Sequence, residues 1–382
     1  MAEAHERALE ALARRGRLRS LTPRSGLDFS SNDYLGLANN PALGQAASDA
    51  LARGVATGAG GSRLLRGNDP EHEALEAEAA TFFGAERALF FGGGFAANTA
   101  LFGTLPQRGD VVVHDELIHA SVHDGLAMGR AEVRAARHND AQAFEDAITS
   151  WRAGGDKGRP WIAVESLYSM DGDRAPLDEL AAIARRHDGM LVIDEAHATG
   201  VLGPVGRGLA AHLEGRDNVV SLHTCGKALG VMGALVLAPK VLADYLVNRA
   251  RPFIYATAPS PLVAALVRAS LRLVRDEPEL RLRHAALVTH AGRALGEHCG
   301  IAASGTHIQP VIVGADRRAV ALARSLQEAG FDVRAVRPPT VPEGTARLRI
   351  SLTLNVDEPA VSEMVTALGK ALHAAPASDA TP

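Results

Sequence analysis

The stretch GMLVIDEAH, residues 189–197, decides the fold of this chain. Its apolar residues predict a short buried strand, and Asp194 stands at the carboxyl end of that strand. Other short β-rich runs bounded by Gly, Pro, Asp or Asn flank it, and helical segments such as LDELAAIARRHD separate several of them. These runs are DVVVHDE, PWIAVES, VVSLHT and GALVLAP. Strands alternating with helices predict an α/β fold, with a large domain whose mostly parallel sheet is covered by helices.

The pattern changes after about residue 280, where strand, helix, strand and helix follow one another. The segments are THIQPVIVG, AVALARSLQEAGFDVRAV, TARLRISL and PAVSEMVTALGKALHA. They predict a smaller C-terminal α/β domain. We expect an N-terminal segment at 1–40, containing an amphipathic helix, a large domain at 41–275 and a small domain at 276–382. The polar tail AAPASDATP is expected to fray.

Composition indicates a soluble globular protein. The chain has 382 residues, of which 47% are hydrophobic and 22% charged, and its net charge is −4. This balance gives no reason to expect a nucleic-acid or membrane partner. Two cysteines, Cys225 and Cys299, cannot form a disulfide framework and suit a reducing cytoplasm. The N-terminus lacks the apolar stretch of a signal peptide, so we expect a cytoplasmic protein.

Asp194 is expected to lie where open α/β sheets bind ligands, at the carboxyl ends of the strands. A buried carboxylate needs a cation or hydrogen bonds, and a protonated pyridine nitrogen would be such a partner. His197 follows closely enough to share the site. The sequence DEAH also occurs in ATPases, as a metal-binding strand. That alternative requires a G-x-x-x-x-G-K-[ST] loop, which the sequence lacks, and we expect no metal.

Lys227 lies in the glycine-flanked stretch TCGKALG, 33 residues after Asp194. A lysine at a strand end can reach into a cleft and form a Schiff base when it is partly desolvated. A lone lysine would more often lie on the surface, but its spacing from Asp194 favours a lysine in an active site. Thr224 offers a hydroxyl to a phosphate. The glycine turn in FFGGGFAANTA can bind an anion through backbone N–H groups, although a simple tight turn is equally compatible with it.

Two further side chains are candidates for the same site. His119 and His123 have an i, i+4 spacing, but no third metal ligand is obvious nearby. We therefore interpret His119 as an aromatic ring that stacks on a flat cofactor. Ser169 follows another predicted strand and is a possible hydrogen-bond donor to that cofactor, whereas the Asp-Gly-Asp that follows it is typical of a turn.

Together these motifs resemble the α-oxoamine synthases, a family of fold-type-I enzymes that use pyridoxal 5′-phosphate (PLP). The matching motifs follow the same order as in the family and extend over nearly the whole chain. It is carried by SSNDYLGL at 30–37, GGSRLLRGN at 60–68, HAS at 119–121, SMDGDRAPL at 169–177, DEAHATGVLGPVGRG at 194–208, TCGKALG at 224–230 and RPPTVPEGTARLRISL at 337–352.

The resemblance implies a role for each matching residue. Lys227 would carry the cofactor as a Schiff base and later move the substrate Cα proton. Asp194 would hold the pyridine nitrogen protonated, and His119 would stack on the ring. The remaining cofactor contacts implied are Ser169, His197, Thr224 and the backbone around Gly94 and Phe95.

The resemblance also implies substrate contacts. Arg349 would bind the amino-acid carboxylate through its guanidinium fork, with Arg347 as the competing choice. Arg19 and Thr340 match positions that contact the substrate. Departures from the family pattern include Arg66 and His223, and Arg66 affects the expected shape of the acyl channel.

Within the family, the motifs are most similar to the branch that condenses L-alanine with a pimeloyl thioester in biotin synthesis. The acyl carrier would be either coenzyme A or an acyl carrier protein, and the family implies a homodimer. Glycine C-acetyltransferase, 5-aminolevulinate synthase and serine palmitoyltransferase use the same chemistry and stay open as alternatives. A catalytically silent scaffold is disfavoured because it would have no need for Lys227, Asp194 and His119 together.

Overall fold

The computed structural model describes residues 2–374, so the predicted fraying of the tail falls almost entirely outside the described residues. The helices are α1 (Glu3–Arg14), α2 (Pro41–Ala52), α3 (Pro70–Phe83), α4 (Gly94–Thr104), α5 (Ala120–Met128), α6 (Ala141–Ala153), α7 (Leu177–Arg186), α8 (Lys240–Arg249), α9 (Arg251–Ile254), α10 (Pro261–Asp276), α11 (Pro278–Cys299), α12 (Asp316–Glu328) and α13 (Glu358–Ala374). A short 3₁₀ turn covers Pro204–Gly206.

The strands are β1 (Leu27–Asp28), β2 (Arg87–Phe91), β3 (Val111–Asp115), β4 (Glu132–Ala136), β5 (Pro160–Glu165), β6 (Met190–Asp194), β7 (Val219–Thr224), β8 (Ala234–Ala238), β9 (Ile308–Gly314), β10 (Phe331–Asp332), β11 (Arg334–Val336) and β12 (Ala346–Ser351). The chain forms two compact units. Unit 1 comprises Met1–Tyr34, Ser169–Asp173 and Leu282–Pro382, and unit 2 comprises Leu35–Tyr168 and Arg174–Arg281.

Unit 2 is built on a seven-stranded sheet in the order β2-β8-β7-β6-β5-β3-β4. β8 runs antiparallel to both of its neighbours, β2 and β7, whereas β7, β6, β5, β3 and β4 pair in parallel. The predicted strand at 190–194 is β6, near the middle of the sheet. This arrangement confirms the predicted mostly parallel α/β sheet, and it directs the carboxyl ends of β6 and β7 toward the same edge.

The sheet of unit 2 is buried on both faces because successive side chains of a strand point to opposite sides. Val192 and Val220 pack into one core with α4, α5 and α8. Leu191, Ile193 and Val219 pack into the other core with α6 and α7. Strands buried on both faces are apolar at consecutive positions, which explains the uninterrupted run MLVI at 190–193.

Unit 1 contains a three-stranded antiparallel sheet in the order β11-β12-β9 and a small parallel pair, β1 with β10. α11, α12 and α13 contribute to one apolar core with these strands. The strand, helix, strand and helix predicted after residue 280 are β9, α12, β12 and α13. α1 forms as predicted, and none of its side chains is buried.

Strand β4 is absent from the sequence-based prediction. It lies at the edge of the seven-stranded sheet, and its sequence EVRAA is mostly exposed. An edge strand with one neighbour needs no long apolar run, so its sequence carries little signal. None of the helices in residues 2–374 has both the length and the apolarity that crossing a lipid bilayer requires.

Candidate active site

Asp194 is the acidic side chain at the carboxyl end of β6, and it is 8% exposed. Its Oδ1 accepts a hydrogen bond from the backbone N–H of Ala196 at 2.9 Å. Its Oδ2 accepts one from the Nδ2 amide of Asn98 at 2.8 Å. A carboxylate has about four lone-pair positions, so two neutral donors leave capacity for a further, charged partner.

Asn98 connects Asp194 to His119 through one intervening hydroxyl. The second proton of the Asn98 amide points to Ser121 Oγ at 3.0 Å, and Ser121 Oγ lies 2.8 Å from His119 Nδ1. The backbone N–H of Ser121 also donates to His119 Nδ1, at 3.2 Å. A nitrogen that accepts these bonds carries no proton, so the neutral His119 ring bears its proton on Nε2.

The electrostatic surroundings of His119 favour the neutral ring. Burial lowers the pKa of His119 below its ordinary value; the charge of Asp194 opposes this shift, and that of Lys227 adds to it. A neutral imidazole can stack on an aromatic cofactor without bringing a second positive charge next to a pyridinium. The side chain also caps the N-terminus of α5, which fixes its position.

Lys227 follows β7 and lies beside His197, with its Nζ 2.8 Å from His197 Nε2. His197 is 5% exposed. The amine can donate to this ring nitrogen, which keeps the lysine head group directed into the site rather than into solvent. Thr224, at the end of β7, donates a long hydrogen bond of 3.3 Å to the carbonyl of Ala196, and its oxygen can still accept one.

The N-terminus of α4 lies against the same strand ends. A Cβ on Gly94 would stand 2.7 Å from Thr224 Cγ2, so only glycine allows this close approach. The helix has no side-chain cap at Gly93, and a Cβ there would meet no atom within 4 Å. Uncapped N–H groups of a helix beside open space are suited to an anion such as phosphate.

These side chains fit PLP. Asp194 retains acceptor capacity for a pyridine N–H, Lys227 offers an amine, and the N-terminus of α4 offers N–H donors for the phosphate. The donor set does not suit a metal, because Glu195 turns into the protein, where its Oε2 accepts from Ser166 Oγ at 2.7 Å and from the N–H of Leu209 at 3.1 Å. Within residues 2–374, no group of three or more His, Cys, Asp or Glu could hold a metal ion.

Unit 1 contains the two arginines that the sequence left as alternatives, and their surroundings differ. Arg347 forms an ion pair with Asp171. Arg349 is 7% exposed and donates to neutral oxygens: the carbonyl of Ser169 at 2.6 Å, Ser351 Oγ at 2.6 Å and Tyr34 Oη at 3.1 Å. No carboxylate of the described chain forms an ion pair with Arg349. A buried guanidinium without an internal counter-ion favours a carboxylate ligand.

Unit 1 also contains the other predicted substrate contacts. Arg19 Nη2 donates to Thr340 Oγ1 at 3.2 Å, so two residues 321 positions apart meet. Arg17, two residues before Arg19, pairs with Asp316 at 2.6 Å and with Glu343, which fixes this N-terminal segment within unit 1. Ser169 belongs to unit 1 as well, where its carbonyl holds Arg349.

The structure therefore groups the predicted residues by unit. In unit 2 lie Gly94, Phe95, His119, Asp194, His197, Thr224 and Lys227, and in unit 1 lie Arg19, Ser169, Thr340 and Arg349. The sequence analysis missed Asn98 and Ser121. Both stand inside motifs that it quoted, GFAANTA and HAS, but nothing in their spacing shows that Asn98 bonds to Asp194 and to Ser121.

The fold and the site in unit 2 define a fold-type-I PLP-dependent transferase. The chain belongs to the family described as aminotransferase class I and II, whose model matches residues 24–368. It is 47% identical over 333 residues to a curated 8-amino-7-oxononanoate synthase of Chromobacterium violaceum, covering 86% of this chain and 85% of that protein.

Two solved structures extend the likeness. One is a serine palmitoyltransferase from S. paucimobilis with a bound PLP-myriocin aldimine: the TM-score is 0.87, the identity 25%, and 98% of each chain is covered. The other is an 8-amino-7-oxononanoate synthase from Francisella tularensis, with a TM-score of 0.77, 28% identity, and coverage of 91% of this chain and 98% of that chain. The cofactor of this chain is PLP.

Proposed function

We propose that this chain condenses L-alanine with a pimeloyl thioester, giving 8-amino-7-oxononanoate, carbon dioxide and the free thiol, as a step of biotin biosynthesis. The observation that carries the proposal is the grouping of Lys227, Asp194 and His119 beside the uncapped N-terminus of α4. Its particular substrates are supported by 47% identity to a relative named 8-amino-7-oxononanoate synthase.

Residues of unit 2, together with Ser169 of unit 1, would hold the cofactor. Asp194 would accept from the pyridine nitrogen, His119 would stack on the ring, and the N–H groups around Gly94 and Phe95 would bind the phosphate together with Thr224. Ser169 and His197 would donate to the polar edge of the ring. When bound, PLP supplies an electron sink that stabilises negative charge at the amino-acid Cα.

Lys227 would act twice. Its amine would first anchor the cofactor, and after alanine has taken that place the freed amine would remove the proton at Cα. An amine removes a proton only in its neutral form, and the contact between Nζ and His197 Nε2 at 2.8 Å gives the ammonium a neighbour with which to share a proton. The same amine would return a proton to Cα after carbon dioxide has left.

Arg349 would bind the carboxylate of alanine. Its three neutral contacts orient the guanidinium without neutralising it, and a carboxylate would supply the missing counter-charge. The bond that breaks depends on its angle to the ring, so holding the carboxylate fixes which Cα substituent leaves. Arg19 and Thr340 would contact the acyl substrate, and their hydrogen bond brings them to one place.

A second candidate remains within the same chemistry. The likeness to serine palmitoyltransferase at a TM-score of 0.87 keeps other α-oxoamine synthases as alternatives, among them glycine C-acetyltransferase and 5-aminolevulinate synthase. Product formation with alanine, glycine and serine, each offered with the same pimeloyl thioester, separates them. Activity confined to glycine or serine would overturn the proposal for alanine.

The proposal includes a cytoplasmic homodimer, as the family resemblance implies. Sedimentation of the holoenzyme across a range of concentrations tests the assembly, and a monomer that is fully active would contradict it. Fractionation of the source cells tests the location.

Absorbance before and after borohydride tests the cofactor assignment. The chain has only four lysines, Lys157, Lys227, Lys240 and Lys370, so peptide mapping of the reduced adduct is unambiguous. We expect a yellow holoenzyme whose reduced adduct maps to Lys227, and loss of turnover in Lys227→Ala. Lys240→Ala is the matched control, because that exposed side chain forms an ion pair with Asp244 on the same helix. An adduct on any other lysine would contradict the assignment.

A further inference from the structure

Three aromatic rings of unit 1 pack against one another: Tyr34, His284 and His307. The ring centroid of Tyr34 lies 4.0 Å from that of His307 and 6.4 Å from that of His284, and the two histidine rings are 5.4 Å apart. All three residues are almost fully buried. Aromatic rings at such separations attract one another, and a densely packed interior leaves them little room to move. The phenol ring of Tyr34 is therefore held in one position.

The main chain of Tyr34 is fixed as well. Its carbonyl accepts from the N–H of Leu354 at 3.0 Å, and the N–H of Ser351 donates to the carbonyl of Phe29 at 2.8 Å. Ser351 ends β12 and Leu354 follows it, so both bonds join the Tyr34 segment to the strand that carries Arg349. Tyr34 and Arg349 are 315 positions apart in sequence, yet they share one framework.

The hydroxyl of Tyr34 has a defined direction. A guanidinium can only donate, so Tyr34 Oη accepts the bond from Arg349 Nη2 at 3.1 Å. The single hydroxyl proton is then free for another acceptor, and Asn32 Oδ1 receives it at 3.0 Å. Because the oxygen donates on one side and accepts on the other, its lone pair stays directed at the guanidinium.

This contact holds one of the two Arg349 nitrogens that can still bind a ligand. A guanidinium has five N–H groups. Nε donates its only one to the carbonyl of Ser169, Nη1 donates one to Ser351 Oγ and Nη2 donates one to Tyr34 Oη. Within the described part of the chain, these bonds leave one N–H on Nη1 and one on Nη2. A carboxylate has two oxygens that can accept this pair of bonds.

We propose that Tyr34 is a positioning residue for the reaction: it holds Nη2 of Arg349 so that the guanidinium fork meets the carboxylate of the amino-acid substrate. The inference rests on the proposed function and adds to its carboxylate site a residue that acts through Arg349. Without the Tyr34 oxygen, the guanidinium keeps its charge but can tilt about its two remaining contacts, so the bidentate geometry is adopted less often. The loss should therefore affect ligands that carry a carboxylate and spare those that lack one.

Binding of amines to the PLP-loaded enzyme, without any thioester, tests this inference. The probes are L-alanine and ethylamine, which is alanine without its carboxylate, and the absorbance change of the bound cofactor reports binding. Tyr34→Phe removes only the hydroxyl and should weaken L-alanine binding by about tenfold while leaving ethylamine binding unchanged. Tyr245→Phe is the matched control, because it removes a tyrosine hydroxyl of unit 2 that donates to Gln107 at 3.3 Å. That control should bind both amines as the unaltered enzyme does.

Arg349→Lys shows whether Tyr34 acts through Arg349. Once the fork has been removed, adding Tyr34→Phe should change the alanine affinity by about twofold or less. A further tenfold loss in the double variant would overturn the inference, because Tyr34 would then act independently. Unchanged alanine affinity in Tyr34→Phe would also overturn it. So would equal weakening of alanine and ethylamine, which would indicate a general distortion of the site.

Steady-state kinetics give a second readout. Tyr34→Phe should raise the KM for the amino acid with little change in kcat, and a fall in kcat at unchanged KM would contradict the inference. Unchanged alanine affinity in Arg349→Lys would take the carboxylate role from Arg349 and overturn both the inference and that part of the proposed function. Product formed from glycine or serine but not from alanine would refute the proposed function alone, because these amino acids share the carboxylate that Tyr34 is inferred to serve.

Discussion

Asn98 shows how a neutral side chain can organise two ionisable ones. Its amide donates both protons, one to Asp194 and one to Ser121, and Ser121 donates in turn to His119. The direction of these bonds sets the tautomer of His119 and leaves part of Asp194 available to the cofactor. In the proposed site, charge at the pyridine nitrogen and stacking on the ring would therefore depend on a residue that performs neither function itself.

Replacing Asn98 by Asp tests this dependence. The variant removes both donors and places a second carboxylate beside Asp194, so like-charge repulsion and lost hydrogen bonds act together. We expect PLP to bind about tenfold more weakly or worse, since each lost bond costs about 1–3 kcal/mol. Fluorescence titration of the apoenzyme with PLP measures this. Ser121→Ala leaves the bond between Asn98 and Asp194 intact and should weaken PLP binding less. Equal weakening in the two variants would contradict the importance of that bond.

Arg349 and Arg347 separate a binding role from a structural one. Arg349→Lys removes the fork but keeps the charge, so the KM for alanine should rise by tenfold or more while the melting temperature changes little. Arg347→Ala leaves Asp171 without its partner and should lower the melting temperature, but by less than the loss of a fully buried pair, because the Asp171 side chain is 29% exposed. Melting curves and alanine KM for both variants check this. The reverse pattern would assign the substrate carboxylate to Arg347.

Three elements of unit 2 bring their ends to one place. Strands β6 and β7 end at Asp194 and Thr224, and α4 begins at Gly94. Parallel strands present their carboxyl ends at one edge, and the following helices present their N-termini there. Asp194 and Lys227, 33 residues apart in sequence, are therefore close enough that both affect the pKa of His119.

The start of α4 supplies a matched pair of glycines. Gly94→Ala would press a Cβ against Thr224 Cγ2 at 2.7 Å, so the helix must shift away from the strand end. We expect weaker PLP binding by about tenfold. Gly93→Ala meets open space, and its φ of 173° is extended, so its PLP affinity should be nearly unchanged. Equilibrium dialysis measures the PLP affinity of both variants. Similar losses of affinity would show that the contact with Thr224 does not cause the weaker binding.

Buried histidines in both units make the whole molecule sensitive to acid. His284 donates from Nε2 to the carbonyl of Leu352 at 2.9 Å, and burial lowers its pKa below the ordinary 6.5. Burial likewise lowers the pKa of His72 and of His119. Below pH 6.5 these histidines bind protons in the unfolded chain but not in the folded chain. The free energy of unfolding is therefore highest above that pH, and it falls as the pH drops through the lowered pKa values of the folded chain.

Melting temperatures of the apoenzyme from about pH 8 to pH 5 test this acid sensitivity. We expect a decline that begins near pH 6.5, and we expect His284→Gln, which keeps a donor but cannot be protonated, to decline less steeply. A flat profile, or an equally steep one in the variant, would contradict the assignment to His284.

Much of the fold could be predicted because its signals are local. Short β-rich runs bounded by Gly, Pro, Asp or Asn identified β3, β5, β6, β7 and β8, since strands buried on both faces are mostly apolar. Strand β4 was missed because an edge strand is largely exposed. The assigned roles of the site residues stay predictions. They were inferred from the order of short motifs, which indicates the chemistry but not the distances between the side chains.

The sequence by itself determined the α/β class, the PLP site residues as candidates and the resemblance that extends over the chain. Each depends on residue type and local spacing. Only the tertiary structure linked Asn98 to both Asp194 and His119, separated the paired Arg347 from the uncompensated Arg349, and placed the Tyr34 hydroxyl beside Arg349. These features depend on distances between residues remote in sequence, and such distances exist only once the chain has packed.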